Sequence, residues 1–380
     1  MRTIAVLGAG GSIGSQTLDV VREKKDRFQV AALTIHSRAE VLFALAREFE
    51  PKVCGMVVEP EEIPEDLKGI EWFFGEDCNE RVVEAVGAQD VLTAVVGAAG
   101  LPASIAALEH SERLLLANKE ALVTGGDLVM DLARRTGKPI LPVDSEHSAI
   151  FQCLRGRDCN APERLILTAS GGPFRTWEKE KMYAAGVSDV LRHPTWNMGR
   201  KITVDCATMA NKGLEIIEAR YLFDMPEEKI GVLVHPQSIV HSMIEFEDGC
   251  ILAQLGVPDM RAPIAYAMSF PERMPASGRK LDLAAAAALT FEQPDVVKFR
   301  ALALAREALR AGGTAACIFN GANEIAVGAF LAEKIPFGEI VPIVEETMNC
   351  AEMAAADSIE AVREADRQAR RIAQELLAAR

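Results

Sequence analysis

The stretch LPVDSEHSAIFQ sets two carboxylates, Asp144 and Glu146, two residues apart directly after an apolar run. Acids in such a place must be solvated, paired or bound to a cation. Two hard oxygen donors suit Mg2+ or Mn2+ rather than zinc. In an extended chain, residues i and i+2 face the same side, so both acids would project together. The alternative is a helix start, with Asp144 as N-cap and Glu146 as a first-turn acid of a helix over SAIFQCL. Both readings stay open on this segment alone.

Two ligands make a thin cation site, and the best third donor lies in VDCATMANKGLEIIEAR. On a helix Asn211 and Glu215 are four apart and share a face, with Lys212 beside them. The opposite side carries Ile216, Tyr221 and Leu222. The plainer alternative is an exposed Lys–Glu pair of little energetic weight.

These residues need elements to position them. TIAVLGA (3–9), VAALTIH (30–36), VCGMVV (53–58), VLTAVVG (91–97), RLLLA (113–117) and PILPV (139–143) read as strands. The helical spacing of 12–24, 38–49, 101–110 and 119–136 separates them. Alternation of helices with doubly apolar strands predicts an α/β fold, a parallel sheet covered on both faces, over 1–143. An α+β region follows over 144–279, with strands at 163–170 and 230–235, a helix from about Ala207 to Phe223, and a hairpin turning at Asp248-Gly249. A linker over 280–297 and a helical bundle over 298–380 complete the expected order.

In this frame VLGAGGSIGSQ is a glycine loop between the first strand and the first helix. Ile13 stands where G-x-G-x-x-G would need glycine, but Gly8, Gly11 and Gly14 fit G-x-x-G-x-x-G, with Gly10 and Ser12 between them. Small residues let the backbone approach a pyrophosphate, and the helix N-terminus supplies N–H groups. The second strand ends in His36, Ser37 and Arg38 rather than an acid. That suits a 2′-phosphate, so NADPH is favoured over NADH. The alternative for Arg38 is a solvated first-turn residue.

Other segments offer anion and lid chemistry. Ser170-Gly171-Gly172 ends an apolar strand and can form an N–H concavity for phosphate, or simply a turn. LRHPTWNMGRK carries His193, Trp196, Met198 and Gly199 and suits a mobile lid, or a surface loop docked on a neighbour. In ANKEALVTGG, Lys119 can meet a substrate oxygen, while Asn118 and Glu120 can touch cofactor or substrate. His235 and His241 are expected to be structural.

Composition narrows the classes. With a formal net charge of −14, the chain is a poor non-specific binder of nucleic acid or anionic membrane. Its eight scattered cysteines form no C-x-x-C pair, as expected of free thiols in a reducing compartment. The first strand begins at Thr3 and no apolar run approaches ~18 residues, so a cytoplasmic protein is expected.

At this point the motifs coincide. The chain resembles the 1-deoxy-D-xylulose 5-phosphate reductoisomerase family nearly end to end. The blocks that carry the resemblance include GAGGSIGSQTLDVV, LLLANKEALV, LPVDSEHSAIFQ, ASGGPFR, RHPTWNMGRKITVD, ATMANKGLEIIEA and NGANEIAV. The resemblance implies a three-domain homodimer with an N-terminal Rossmann-like NADPH domain, a catalytic domain and a C-terminal bundle. It implies a divalent metal on Asp144, Glu146 and Glu215. It places the substrate phosphate on Ser170, Asn211 and Lys212 with His193 close by, Trp196 and Met198 on the lid, and Lys119 on the substrate. Further candidates are Ser145 for substrate, and Ile13 and Gly199 for cofactor. Lys119 and Glu146 are the candidates for acid–base work. Two departures stand out. Cys206 replaces a serine, and a thiol is the weaker donor. Gly10 stands where the family often has threonine, and IHSR differs from its usual Gly-Lys-Asn-like run.

Two other functions fit parts of the sequence. One is a metal-free NADP-dependent semialdehyde dehydrogenase, in which both acids are cap residues. The other is a non-enzymatic dinucleotide sensor.

Overall fold

The computed structural model of the chain describes residues 1–155, 162–192, 196, 198–275, 278–286 and 288–380. They form two compact units. The first comprises Met1–Ala121, Val129–Ser148 and Asp259–Gly278, and the second Leu122–Leu128, Ala149–Pro258 and Arg279–Arg380. Among the described residues, no helix is long and apolar enough to cross a membrane.

The first unit is built on seven strands: β1 (Arg2–Leu7), β2 (Phe28–Ile35), β3 (Val53–Met56), β4 (Glu71–Phe74), β5 (Asp90–Thr93), β6 (Arg113–Leu116) and β7 (Ile140–Pro142). Their order is β4-β3-β2-β1-β5-β6-β7, and every pairing is parallel. The sheet is thus the doubly wound one expected from sequence. Successive strands are added on opposite sides of β1, which makes the β1/β5 carboxyl edge the switch point where such sheets bind ligands. Ile4 to Leu7 are fully buried. The edge strand β4 was not expected, because EWFF is only four residues long and half exposed. Its Trp72 ring packs edge-on to Phe43 at 5.8 Å.

One segment falls in a different unit from the expected division. The Arg261–Ser269 helix, expected with the middle region, belongs to the first unit. Buried Arg113 explains why, donating to the carbonyls of Met268 (3.0 Å) and Phe270 (2.6 Å) at the helix end.

The second unit holds β8 (Arg164–Ala169), β9 (Ile230–Val234), β10 (Val240–Glu245) and β11 (Ile251–Leu255), in the order β11-β10-β8-β9. The β10–β11 hairpin turns where expected, with Asp248 Oδ1 accepting from the Cys250 N–H at 2.9 Å. The expected helix from about Ala207 is two helices, Arg200–Thr208 and Ala210–Leu222. Met209 between them takes a left-handed φ of 61°. The four C-terminal helices, Arg300–Ala311, Ala315–Leu331, Ile340–Cys350 and Ile359–Ala378, do not stand apart from this unit. Asn323 Nδ2 donates to buried Asp205 at 2.7 Å, and a Cβ on Gly213 would lie 2.5 Å from that of Ala305. The expected linker is also pinned, since Val234 and Glu292 exchange backbone hydrogen bonds.

Candidate active site

The glycine loop runs from β1 into the Ser12–Glu23 helix, whose N-cap is Gly11. Gly8 has φ +84°, and a Cβ there would strike the Ala94 carbonyl oxygen at 2.5 Å. A Cβ on Gly14 would lie 2.3 Å from the Gly8 oxygen. The loop is therefore a tight cradle that admits no side chains at these two points. Ser12 is exposed at the helix start, and Ile13 is half-buried. His36, Ser37 and Arg38 are all exposed just beyond β2. Arg38 Nη2 donates to the Gly10 carbonyl, which joins the two expected cofactor segments.

At the carboxyl edge of β6 and β7 the first unit gathers charges. Lys119 is the N-cap residue of the Glu120–Thr136 helix, a position where the helix dipole disfavours a cation. Its Nζ lies 2.6 Å from Asp144 Oδ2, and both side chains are nearly buried. Burial opposes ionisation of Asp144, but the Lys119 ammonium, with the neighbouring His147 ring adding to it, outweighs that and holds the carboxyl well below the usual carboxylate range. His147 is fully buried, with Nδ1 3.7 Å from Asp144 Oδ2. The sequence left its role unassigned; its i,i+3 spacing from Asp144 was the available signal.

The backbone here corrects the extended reading of the two acids. The strand ends at Pro142 and the Ser145–Leu154 helix follows at once. Asp144 precedes that helix, its carbonyl accepting from the Ser148 N–H at 2.8 Å, and Glu146 lies in the first turn. The helix-start alternative describes the chain, because Ser145 and the polar run after it favour capping over pleating. A helix N-terminus favours negative charge, so the corrected backbone favours the ionised form of both acids. Ser145 Oγ donates to Glu146 Oε2 at 2.5 Å.

In the second unit the Ala210–Leu222 helix brings Asn211, Lys212 and Glu215 together. Asn211 Nδ2 and Lys212 Nζ both bond the Glu215 carboxylate. The Lys212 and Glu215 side chains are only 5% and 1% exposed, which overturns the reading as an exposed surface pair. Glu218, one turn further on, is equally buried and was not singled out by sequence. Ser170 Oγ accepts from the Gly172 N–H at 3.2 Å. Gly171 and Gly172 both have positive φ, and a Cβ on Gly172 would meet the Cys206 carbonyl oxygen at 2.7 Å. A pocket of ≈ 310 Å³ opens beside Ser170, with Arg175 and Arg192 on its wall.

The remaining expected residues divide. Asn118 is buried and committed to its own loop. Its Nδ2 donates to the carbonyls of Val95 (2.7 Å) and Gly97 (2.9 Å) and to Glu120, while its Oδ1 accepts from the Ala121 N–H. That is the bonding of a loop brace. Glu120, buried in the same network, shares that role. Trp196 lies with its ring 6.2 Å from that of His241. Met198 is half-buried, and exposed Gly199 is the N-cap of the Arg200–Thr208 helix. His193 lies outside the described residues. His235 is structural as expected. Its Nε2 accepts the N–H groups of Ile239 and Val240 at 3.1 Å each, and its Nδ1 bonds the Thr290 carbonyl.

Comparison with known proteins follows the same lines. The family models for 1-deoxy-D-xylulose 5-phosphate reductoisomerase, for its C-terminal domain, and for the DXP reductoisomerase C-terminal domain match residues 4–126, 140–223 and 255–372. The 1-deoxy-D-xylulose 5-phosphate reductoisomerase of Chlorobaculum tepidum is 50% identical over 99% of this chain and 100% of its own length. A crystal structure of DOX-P reductoisomerase in complex with NADPH, fosmidomycin and magnesium superposes with a TM-score of 0.93 at 40% identity, covering 100% of this chain and 98% of that one. The Zymomonas mobilis enzyme in complex with NADPH gives 0.91 at 43% identity, covering 99% of each chain.

Proposed function

The chain belongs to the 1-deoxy-D-xylulose 5-phosphate reductoisomerase family, and from that premise we infer how its own residues carry the reaction. The enzyme converts 1-deoxy-D-xylulose 5-phosphate into 2-C-methyl-D-erythritol 4-phosphate in isoprenoid precursor biosynthesis, with NADPH and a divalent metal. The observation that carries the assignment of residues is Asp144. It is nearly buried yet held ionised beside Lys119, at the carboxyl edge of the sheet whose first turn is the glycine cradle.

Both cofactors fit the residues present. Asp144, Glu146 and Glu215 offer oxygen donors alone, the preference of Mg2+ or Mn2+. When bound there, the cation supplies a Lewis acid and a template for the substrate's adjacent carbonyl and hydroxyl oxygens. Gly8, Gly11, Gly14 and the Ser12–Glu23 helix start form the pyrophosphate cradle of region 1–143, and His36, Ser37 and Arg38 take the 2′-phosphate. NADPH supplies the hydride that reduces the aldehyde formed when the carbon skeleton rearranges, most simply by retroaldol cleavage and re-aldolisation.

The protein binds, orients and moves protons. Lys119 holds a substrate oxygen and stabilises negative charge as it develops there. Glu146 moves the proton of a substrate hydroxyl. Ser170, Asn211 and Lys212 hold the phosphate, His193 being a further candidate for it, and the buried bonds of Asn211 and Lys212 to Glu215 keep the amide and the ammonium in place. Trp196 and Met198 close over the substrate and exclude water. The active form is a cytoplasmic homodimer that needs neither nucleic acid nor membrane.

NADPH oxidation with 1-deoxy-D-xylulose 5-phosphate, measured before and after EDTA, tests this reading. Turnover should vanish with chelator and return with Mg2+ or Mn2+. Full activity in EDTA would instead favour a metal-free dehydrogenase. Binding of NADPH with no oxidation under any condition would favour a sensor.

A further inference from the structure

We propose that Gly10 is a positioning residue for selecting NADPH over NADH: its missing side chain lets Arg38 lie across the glycine loop, where the guanidinium takes the 2′-phosphate. This rests on the reading of His36–Arg38 as the 2′-phosphate site.

The geometry lies wholly within the first unit. Arg38 reaches back from the end of β2 and donates through Nη2 to the Gly10 carbonyl. A Cβ built on Gly10 would lie 2.3 Å from Ile35 Cδ1, 2.9 Å from Ile35 Cγ1 and 3.0 Å from Arg38 Nη2. Ile35 is buried and cannot swing into solvent without exposing apolar surface. Any side chain at position 10 must therefore displace Ile35, Arg38 or both. The backbone of Gly10 has no positive φ, so conformation does not demand glycine there. Space does.

The bond to Gly10 also matters chemically. A guanidinium carries five N–H donors in a rigid fork. Committing one nitrogen to the loop fixes the fork beside the pyrophosphate cradle and leaves its other nitrogens for phosphate oxygens. Fixing an otherwise exposed arginine beforehand lowers the entropy cost of binding. The loop glycine and Arg38 thus act as a matched pair through this one contact.

The test measures dissociation constants of NADPH and NADH on the full-length protein for the wild type, Gly10→Ala, Gly10→Thr, Arg38→Ala and the Gly10→Thr/Arg38→Ala double variant. Arg38→Ala should weaken NADPH by about 10- to 100-fold, the loss of a charge-assisted pair, and leave NADH within about 2-fold. Gly10→Thr should weaken NADPH by a similar factor and spare NADH, with Gly10→Ala between it and the wild type. The double variant should be no weaker than Arg38→Ala, because both changes remove one contact. Equal weakening of both dinucleotides by Gly10→Thr and Gly10→Ala would mean general loop distortion and overturn the proposal. So would an unchanged NADPH to NADH ratio, or full additivity in the double variant. If NADPH is preferred through Arg38 while position 10 is indifferent, only this inference fails. If the wild type binds neither dinucleotide, the cofactor reading fails with it.

Discussion

Two buried ion pairs in the first unit sit at opposite edges of the same sheet. Asp90 and Arg113 open β5 and β6 at the amino edge of the sheet. Lys119 and Asp144 follow β6 and β7 at the carboxyl edge. The Arg113 fork grips both Asp90 oxygens, at 2.7 and 2.6 Å, and spends further N–H groups on two carbonyls, while Arg2 adds a second cation to the same acid. Lys119 meets Asp144 as a point charge, through one Nζ–Oδ2 contact of 2.6 Å. Asp90 is 0% exposed and Asp144 14%. One pair is closed and holds a helix to the sheet. The other leaves its acid 14% exposed, on the edge where parallel sheets bind ligands. On the proposed reading, the same two charge types serve architecture at one edge and chemistry at the other, with a fork as the first cation and a point as the second.

Breaking each pair should separate these roles. Asp144→Asn keeps the shape and removes the charge. It should lower kcat/KM by roughly 10³-fold, the equivalent of about 4 kcal/mol, as expected when a cation site is lost. Its melting temperature should fall less than that of Arg113→Met, because Lys119 loses a charged partner but keeps the amide oxygen as an acceptor. A large fall in Tm with activity retained would reverse the comparison. Arg113→Met should do the opposite. It leaves Asp90 buried beside one remaining cation and frees two helix-end carbonyls, at a cost of about 3–5 kcal/mol in denaturant unfolding. The kcat of the molecules still folded should not change.

His241 extends the comparison to a buried group kept neutral. Burial pushes its imidazole down to about 4, against smaller opposing hydrogen bonds to the backbone at Val257 and Gly256, with His235 and Lys212 adding to the fall. The unfolded chain therefore binds the extra proton first. The stabilising effect of the neutral ring is complete above pH about 6.5 and is lost as pH falls from there towards 4, to a total of about 3 kcal/mol. His241→Gln should flatten that part of the stability–pH curve. An unchanged slope in the variant would show that other groups carry it.

The sequence revealed the parallel sheet, the hairpin and the last four helices because apolar period and turn residues are local signals. It missed β4, whose four edge residues alternate too weakly to register. It ran the helix around Ala207 through Met209, since nothing in ATMANKG marks a left-handed residue. Among site residues, the acids of LPVDSEHSAIFQ were legible as candidate cation ligands, but the geometry first offered, an extended strand end, was wrong. Side-chain type was readable there, and backbone state was not. Lys212 and Glu215 were ambiguous for a related reason. Spacing shows that two residues share a helix face, whereas burial depends on what packs against that face. Asn118 shows the reverse limit, a polar residue beside a site whose bonds all turn inward to the loop.

The finest test exchanges the two cations' chemistry without removing charge. Arg113→Lys retains the ion pair with Asp90, but an ammonium cannot span both oxygens and reach two carbonyls as well. The loss should be about 2 kcal/mol of stability, smaller than for Arg113→Met because the buried acid keeps a full partner. Lys119→Arg keeps the charge beside Asp144 but replaces a compact, rotatable donor with a wider planar fork in a nearly buried place. Stability should stay within about 1 kcal/mol, while kcat falls by about 10- to 100-fold through misplacement of the donor. If Lys119→Arg were instead as destabilising as Arg113→Lys and catalytically silent, the carboxyl-edge pair would be structural too, and the division of labour between the two edges would fall.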